Sequence, residues 1–451
     1  MAQTGETDGP LFYQTRANLP MVDRGEGVWL WTTDGRRVLD GCSGAVVANL
    51  GHGHPRVLEA MRTQAERVTF AYRTQFENGP AVELGHKLAG QLSQGLDRTF
   101  LVSGGSEAVE TAIKLARSYH AARGDEARYR IVSRFPSYHG STLGALAATG
   151  YRPLTDGYAP MMVEQNHVSA PTCYRCPFGL SYPSCELACA TDLERTLEAL
   201  DPSTVAAFLL EPIGGASTGA IVPPDGYFAT ITEIARRHGI LTIYDEVMTG
   251  AGRTGAFAAY QHWEGEAAPD VLALSKGLGA GYTPLGAVVT RGEVADTVLD
   301  AGAFPHGFSY AGNPLSAAVG VAVLDVLEGE GLVARAAELG ERLGAGLREL
   351  ADRHPFVGDV RGKGLLWGLE FVADPATRTP YAFDLDVARR VTVAAAEEDL
   401  LIYPRRGGGG LMGDHVLVAP PLVTRDDELD ELLARLDRAL ARSEAALASA
   451  A

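Results

Sequence analysis

The middle of this chain restricts its fold most strongly. From about residue 66 to residue 330, short branched apolar runs alternate with segments of helical spacing. "RTFLVSG" leads into "SEAVETAIKLARSYHAAR", and "RYRIVSR" into "HGSTLGALAAT". Further on, "TVAAFLLEP" precedes the helical "GYFATITEIARRHG", and "ILTIYDEV", "DVLALSK" and "PLGAVVTR" follow. Continuous apolar runs suit strands buried on both faces, and strands that alternate with helices form a mostly parallel sheet. The pattern predicts an α/β fold with a mostly parallel central sheet and helices on both faces.

A chain of 451 residues is too long for one simple core. Residues 66–330 are expected to form the large domain, and 1–65 with 331–451 a smaller α+β domain built from both chain ends. In the first part, two alternating stretches flank Asp34-Gly35, a hairpin signal. After Asn313-Pro314, Ala- and Leu-rich helices run to about Arg353. "KGLLWGLEFV" and "DHVLVAPPLV" then read as strands, and a last helix starts near Arg425.

In open α/β sheets, ligands bind at the carboxyl ends of the strands, and three features fall there. In "DVLALSKGLGAG", Lys276 follows a buried-strand profile, so its amine must shed hydration unless chemistry needs it there. In "LVSGGSEAVETAIKLA", a strand ends at Ser103-Gly104-Gly105-Ser106 and a helix begins at once. Glycines admit close backbone approach, and free helix N–H groups favour a phosphate. The sequence lacks the Gly-Lys of a P-loop, which argues against a nucleoside triphosphate. In "ILTIYDEVMTGAGRTG", Asp245 and Glu246 end a strand, where a carboxylate wants a cation or several donors. Paired acids could also hold magnesium or act as acid and base. An anion cradle, a strand-end acid and a strand-end lysine together suit pyridoxal 5'-phosphate, which has a phosphate, a ring nitrogen to keep protonated and an aldehyde that condenses with an amine.

The formal net charge of −17 argues against nucleic acid or an anionic membrane as partner. No apolar run approaches the ~20 residues needed to span a bilayer. The start "MAQTGETDGP" carries no secretory pattern, so the expected location is the cytoplasm. Cys173, Cys176, Cys185 and Cys189 crowd one segment while Cys42 stands apart. Their spacing could hold a structural zinc; the alternatives are reduced thiols or a locally bridged hairpin, and no metal is assigned to the site.

The blocks "SGGSEAVETAIKLAR", "SYHGSTLGA", "EPIGGASTGAIVPPDGYF", "YDEVMTGAGRTG", "LALSKGLGAGYTPLGAVV" and "HGFSYAGNPLSAA" stand in one order. In this the sequence resembles the class III aminotransferases of pyridoxal-phosphate fold type I, over nearly the whole chain. The resemblance implies that Lys276 is the Schiff-base lysine and Asp245 the acid on the pyridine nitrogen. It gives Gly105 and Ser106 to the phosphate, Tyr138 and Val247 to the ring faces, and Glu211 to an acid near the cofactor that can pair with a substrate-gating arginine. Ser309 replaces a threonine that family members offer to the phosphate of the neighbouring subunit, which implies a homodimer with shared sites. His139 and Arg253 are expected to be packing and salt-bridge residues.

The implied reaction is ping-pong transamination from an amino donor to a keto-acid acceptor. The same scaffold hosts amino-acid racemases, epimerases and decarboxylases, which stand as the alternative. Members that use 2-oxoglutarate carry an arginine where Leu417 stands here, and others place a mobile arginine near Tyr403. Arg405 and Arg406, beside the glycine run Gly407–Gly410, are the candidates to hold a substrate carboxylate, with solvated loop charges as the alternative. Trp31 and Tyr72 either line the pocket or fill the small domain.

Overall fold

The computed structural model describes residues 11–12, 14–15, 19–407 and 412–448. Residues 1–10, which include the segment read for a secretory pattern, lie outside this set, as do Gly408–Gly410 of the glycine run. The N-terminal strands are β1 (Val22–Glu26), β2 (Trp29–Thr32) and β3 (Arg37–Asp40). β2 and β3 form the hairpin expected around Asp34-Gly35, with Trp29 opposite Leu39.

Seven strands make the central sheet: β4 (Leu96–Val102), β5 (Arg130–Phe135), β6 (Asn166–Ser169), β7 (Val205–Leu210), β8 (Leu241–Asp245), β9 (Val271–Leu274) and β10 (Gly286–Arg291). Their order is β4-β10-β9-β8-β7-β5-β6. Only β10 runs antiparallel, to both β4 and β9. Every residue of β7, β8 and β9 is buried, as the unbroken apolar runs require. The helices that matter here are α1 (Gly105–Ala122), α2 (Ala188–Leu200), α3 (Tyr227–His238) and α4 (Pro314–Gly329). The start of α4 was legible in the sequence. Pro314 takes the first helical position, and the side chain of Asn313 accepts from the Ser316 N–H at 3.0 Å.

The C-terminal part adds β11 (Val357–Lys363), β12 (Leu366–Phe371), β13 (Leu400–Leu401), β14 (Tyr403–Arg405) and β15 (His415–Val418). β11, β12, β15 and β14 form one sheet, while β13 pairs in parallel with β3 and so joins the two chain ends. The long helix Asp426–Ala448 closes the chain. No helix among the described residues is long and apolar enough to cross a membrane.

Arg253 knits these parts together. It is fully buried, and it donates to the carbonyls of Leu365 and Pro420, to Ser43 Oγ and to Asn49 Oδ1. Burial pushes its guanidinium down to about 9. Among the described residues it makes hydrogen bonds to three chain segments and no ion pair, where a salt-bridge role was expected.

The cysteine segment precedes α2. All five cysteines are free thiols, and among the described residues no three His, Cys, Asp or Glu side chains converge as a metal-holding group. Burial first, and then the neighbouring thiols, push Cys189 up to about 12.

Candidate active site

The carboxyl ends of β4, β7, β8 and β9 surround a cavity of about 160 Å³. Its lining includes Gly105, Ser106, Tyr138, Glu211, Asp245, Val247 and Lys276, seven residues from five distant sequence blocks. His139, expected from the sequence to be a packing and salt-bridge residue, lines it too.

β4 delivers the chain to α1, whose N-cap residue Gly104 provides no side-chain cap. The orphan N–H groups of a helix start therefore stay available to an anion. A Cβ on Gly105 would lie 2.7 Å from Val247 Cγ1, so only glycine lets that helix start close on the floor of the cavity. Ser106 Oγ accepts from the Ser141 N–H at 3.0 Å, and its own hydroxyl proton remains to be given.

β8 ends in two acids that part ways. Asp245, 5% exposed, lines the cavity and takes a hydrogen bond at 2.8 Å between its Oδ2 and His139 Nδ1. Its Oδ1 accepts from the Val247 N–H at 3.1 Å. Because Nδ1 faces a carboxylate, it carries the imidazole proton. Glu246 instead turns into the protein and accepts from Thr249 Oγ1 and from the N–H groups of Ala259 and Tyr260, both at 2.9 Å. Burial raises its carboxyl to about 7. Successive residues of an extended chain point to opposite sides, which separates a site acid from a structural one.

β7 leads directly to Glu211, also 5% exposed. Its Oε1 accepts from the Gly215 N–H at 2.8 Å and its Oε2 from the Tyr138 N–H at 3.3 Å. Burial pushes its carboxyl up, against the pull of His139 and Arg134. No arginine side chain forms an ion pair with it among the described residues. β9 ends one residue before Ser275, whose Oγ donates to the Leu285 carbonyl at 2.7 Å. Lys276 follows with φ +42°, a left-handed backbone that non-glycine residues rarely adopt and that concentrates at functional sites. Burial lowers its amine to about 8, although Asp245 and Glu211 pull the other way.

The remaining candidates sit apart. Ser309 is exposed. Arg405, at the end of β14, stacks over Tyr403 and Tyr151 with its guanidinium 5.3 and 5.5 Å from their ring centres. Its Nε is buried without a partner, and its charge helps depress Lys276. Arg406 turns away; its Nε lies 3.4 Å from Asp386 and 3.9 Å from Asp414, and its guanidinium 3.5 Å over Phe383. Trp31 lies under the guanidinium of Arg24, outside the cavity lining, and Tyr72 is 49% exposed. Leu417 is fully buried and pairs with Tyr403 across β14 and β15.

The sheet order and the cavity define a pyridoxal-phosphate enzyme of fold type I. The comparisons give the family. The model of class III aminotransferases matches residues 13–440. An aminotransferase of Bacillus subtilis, YodT, is 36% identical over 427 residues, 94% of this chain and 96% of the relative. An amine transaminase from an uncultivated Pseudomonas species, solved in its PLP-bound form, superposes with a TM-score of 0.90 at 33% identity, covering 98% of this chain and 100% of that one. An (S)-enantioselective omega-transaminase from Thermomicrobium roseum gives 0.90 at 37% identity, covering 98% and 97%. The chain belongs to the class III aminotransferase family. It is a transaminase that uses pyridoxal 5'-phosphate to move an amino group from an amine or amino acid to a keto acid. The cavity offers what that cofactor needs: an uncapped helix start beside glycine, a buried carboxylate and a partly dehydrated amine.

Proposed function

We propose that Lys276 is the residue that holds the cofactor and moves the proton in this transamination. The observation that carries this reading is an amine lowered to about 8 in one cavity with Asp245 and Glu211. At pH 7 such an amine is about one-tenth neutral, against less than a thousandth at an ordinary lysine value. Bound pyridoxal phosphate supplies a carbonyl that accepts the donor's nitrogen and a ring that draws electrons from the donor's Cα.

The other roles belong to side chains of this protein. Asp245, held by His139 and the Val247 N–H, keeps a negative charge where a ring nitrogen needs its proton. The start of α1 and Ser106 take the phosphate. Tyr138 and Val247 line the ring space. Lys276 Nζ, once free, takes the proton from the donor's Cα and returns it to the carbon on the far side of the donor nitrogen, a transfer worth about 10²–10⁴ in rate. Glu211 keeps the Tyr138 backbone in position.

Arg405 is the residue proposed to hold a substrate carboxylate, because it has no ion-pair partner among the described residues and its charge reaches Lys276. Arg406 is already engaged by Asp386 and Asp414. The reading includes a homodimer acting in the cytoplasm, in which Ser309 reaches the partner's phosphate cradle. Support for the dimer comes from an apolar surface near Ser309, with Phe70 48%, Phe76 65% and Tyr310 66% exposed and the Phe70 and Tyr310 rings 6.3 Å apart. The test is borohydride treatment of the holoenzyme followed by peptide mapping: the pyridoxyl group is expected on Lys276, and its appearance on another lysine overturns the assignment.

A further inference from the structure

A second cavity, of about 350 Å³, lies at the opposite edge of the central sheet. The last turns of α1 and α3 and the first residues of β8 enclose it, with Asp270 and Arg291 from the flanking strand ends. Arg123, Arg128, Arg236 and Arg291 line it against Asp125 and Asp270. In a chain of net charge −17, four guanidinium groups around one cavity are a local inversion of the overall field.

These charges are unevenly committed. Asp270 is taken up by the structure: it pairs with Arg291, and its Oδ2 accepts from the Thr242 N–H at 2.7 Å and from Thr242 Oγ1 at 3.1 Å. Arg128 donates to the carbonyls of Pro202, Val205 and His238 at 3.2, 2.8 and 2.9 Å, which offsets the negative ends of the adjoining segments. Arg123 gives one N–H to Tyr119 Oη at 2.8 Å. Arg236 is exposed, and its guanidinium makes neither a hydrogen bond nor an ion pair among the described residues.

His120 is a second and independent sign. It lines the cavity and is 2% exposed. Its Nε2 faces the Ala206 carbonyl at 2.9 Å and so carries the proton. Nδ1 is then a bare lone pair, and it is buried with no partner. Burial disfavours the charged ring, so this nitrogen wants a donor. The cavity thus asks for negative charge at Arg123 and Arg236 and for a hydroxyl at His120, above the apolar Ile240 and Leu241. We propose that this cavity binds a small phosphate monoester that carries a free hydroxyl group. None of its residues belongs to the cofactor cavity.

The experiment is calorimetric titration of the holoenzyme, whose own phosphate cradle is filled, with glycerol 3-phosphate. Saturable binding is expected, and Arg123→Ala and Arg236→Ala should each weaken it by at least about tenfold, the scale of one charge-assisted hydrogen bond. Turnover should be unchanged in both variants. Propyl phosphate, which lacks the hydroxyl, should bind more weakly, and glycerol should not bind. Absence of saturable binding, or equal affinity in the wild type and both variants, overturns the site; equal affinity for propyl phosphate overturns the role of His120.

Discussion

Two buried cations set the cofactor edge of the sheet against the joint where the chain segments meet. Burial pushes Arg253 down to about 9 and Lys276 down to about 8. Arg253 receives four acceptors in return, from Ser43, Asn49, Leu365 and Pro420. The Lys276 side-chain amine makes no hydrogen bond or ion pair among the described residues, and its backbone sits at φ +42°. A desolvated charge that several acceptors engage holds a structure together. One that is left without partners, beside acids, is held ready for a ligand. The same contrast divides Asp245, facing the cavity, from Glu246, capped by backbone N–H groups.

This comparison breaks most visibly at Lys276. Lys276→Ala should reduce turnover by at least about 10³, at the level of losing a general base together with covalent attachment, while leaving the fold intact. A variant of near-normal turnover in a single-donor assay contradicts the reading. Asp245→Asn comes next, with an expected loss of about 10²–10³ in kcat. It should also lower the Lys276 amine further, because Asp245 is the leading group that raises it. At the other pole, Arg253→Met should leave the chemistry of correctly folded molecules unchanged but cost about 3 kcal/mol or more of stability, read as a lower thermal midpoint. The smallest effect expected is on substrate choice. Arg405→Ala should raise KM for a carboxylated donor by about 10- to 100-fold and leave a simple amine donor nearly unaffected. Arg406→Ala should change neither by more than a few-fold.

Much of this was legible in the residues. The alternation of apolar runs and helical spacing predicts the central sheet because parallel strands are buried on both faces and need no partner pattern to be recognised. Gly105, Ser106, Asp245 and Lys276 stand at strand ends, and a parallel sheet brings such ends to one edge. The antiparallel direction of β10 was not legible, since "PLGAVVTR" carries no mark of direction. The contact between His139 and Asp245 spans 106 positions and depends on the order in which β5, β7 and β8 pack. Arg405 and Arg406 are neighbours of identical chemistry, and only Asp386, Asp414 and Phe383 tell them apart. Likewise, the four clustered cysteines fit several chemistries by spacing, whereas the fold leaves them as free thiols.

The most direct measurement of the central claim is the rate at which apoenzyme captures pyridoxal phosphate as pH is raised, followed by absorbance. Only the neutral amine attacks the aldehyde, so protonation suppresses capture. With the Lys276 amine lowered to about 8, the rate should climb through a midpoint near that pH and level off above it. A rate that keeps rising tenfold per pH unit to about 10 or beyond, as an ordinary lysine requires, would contradict the account.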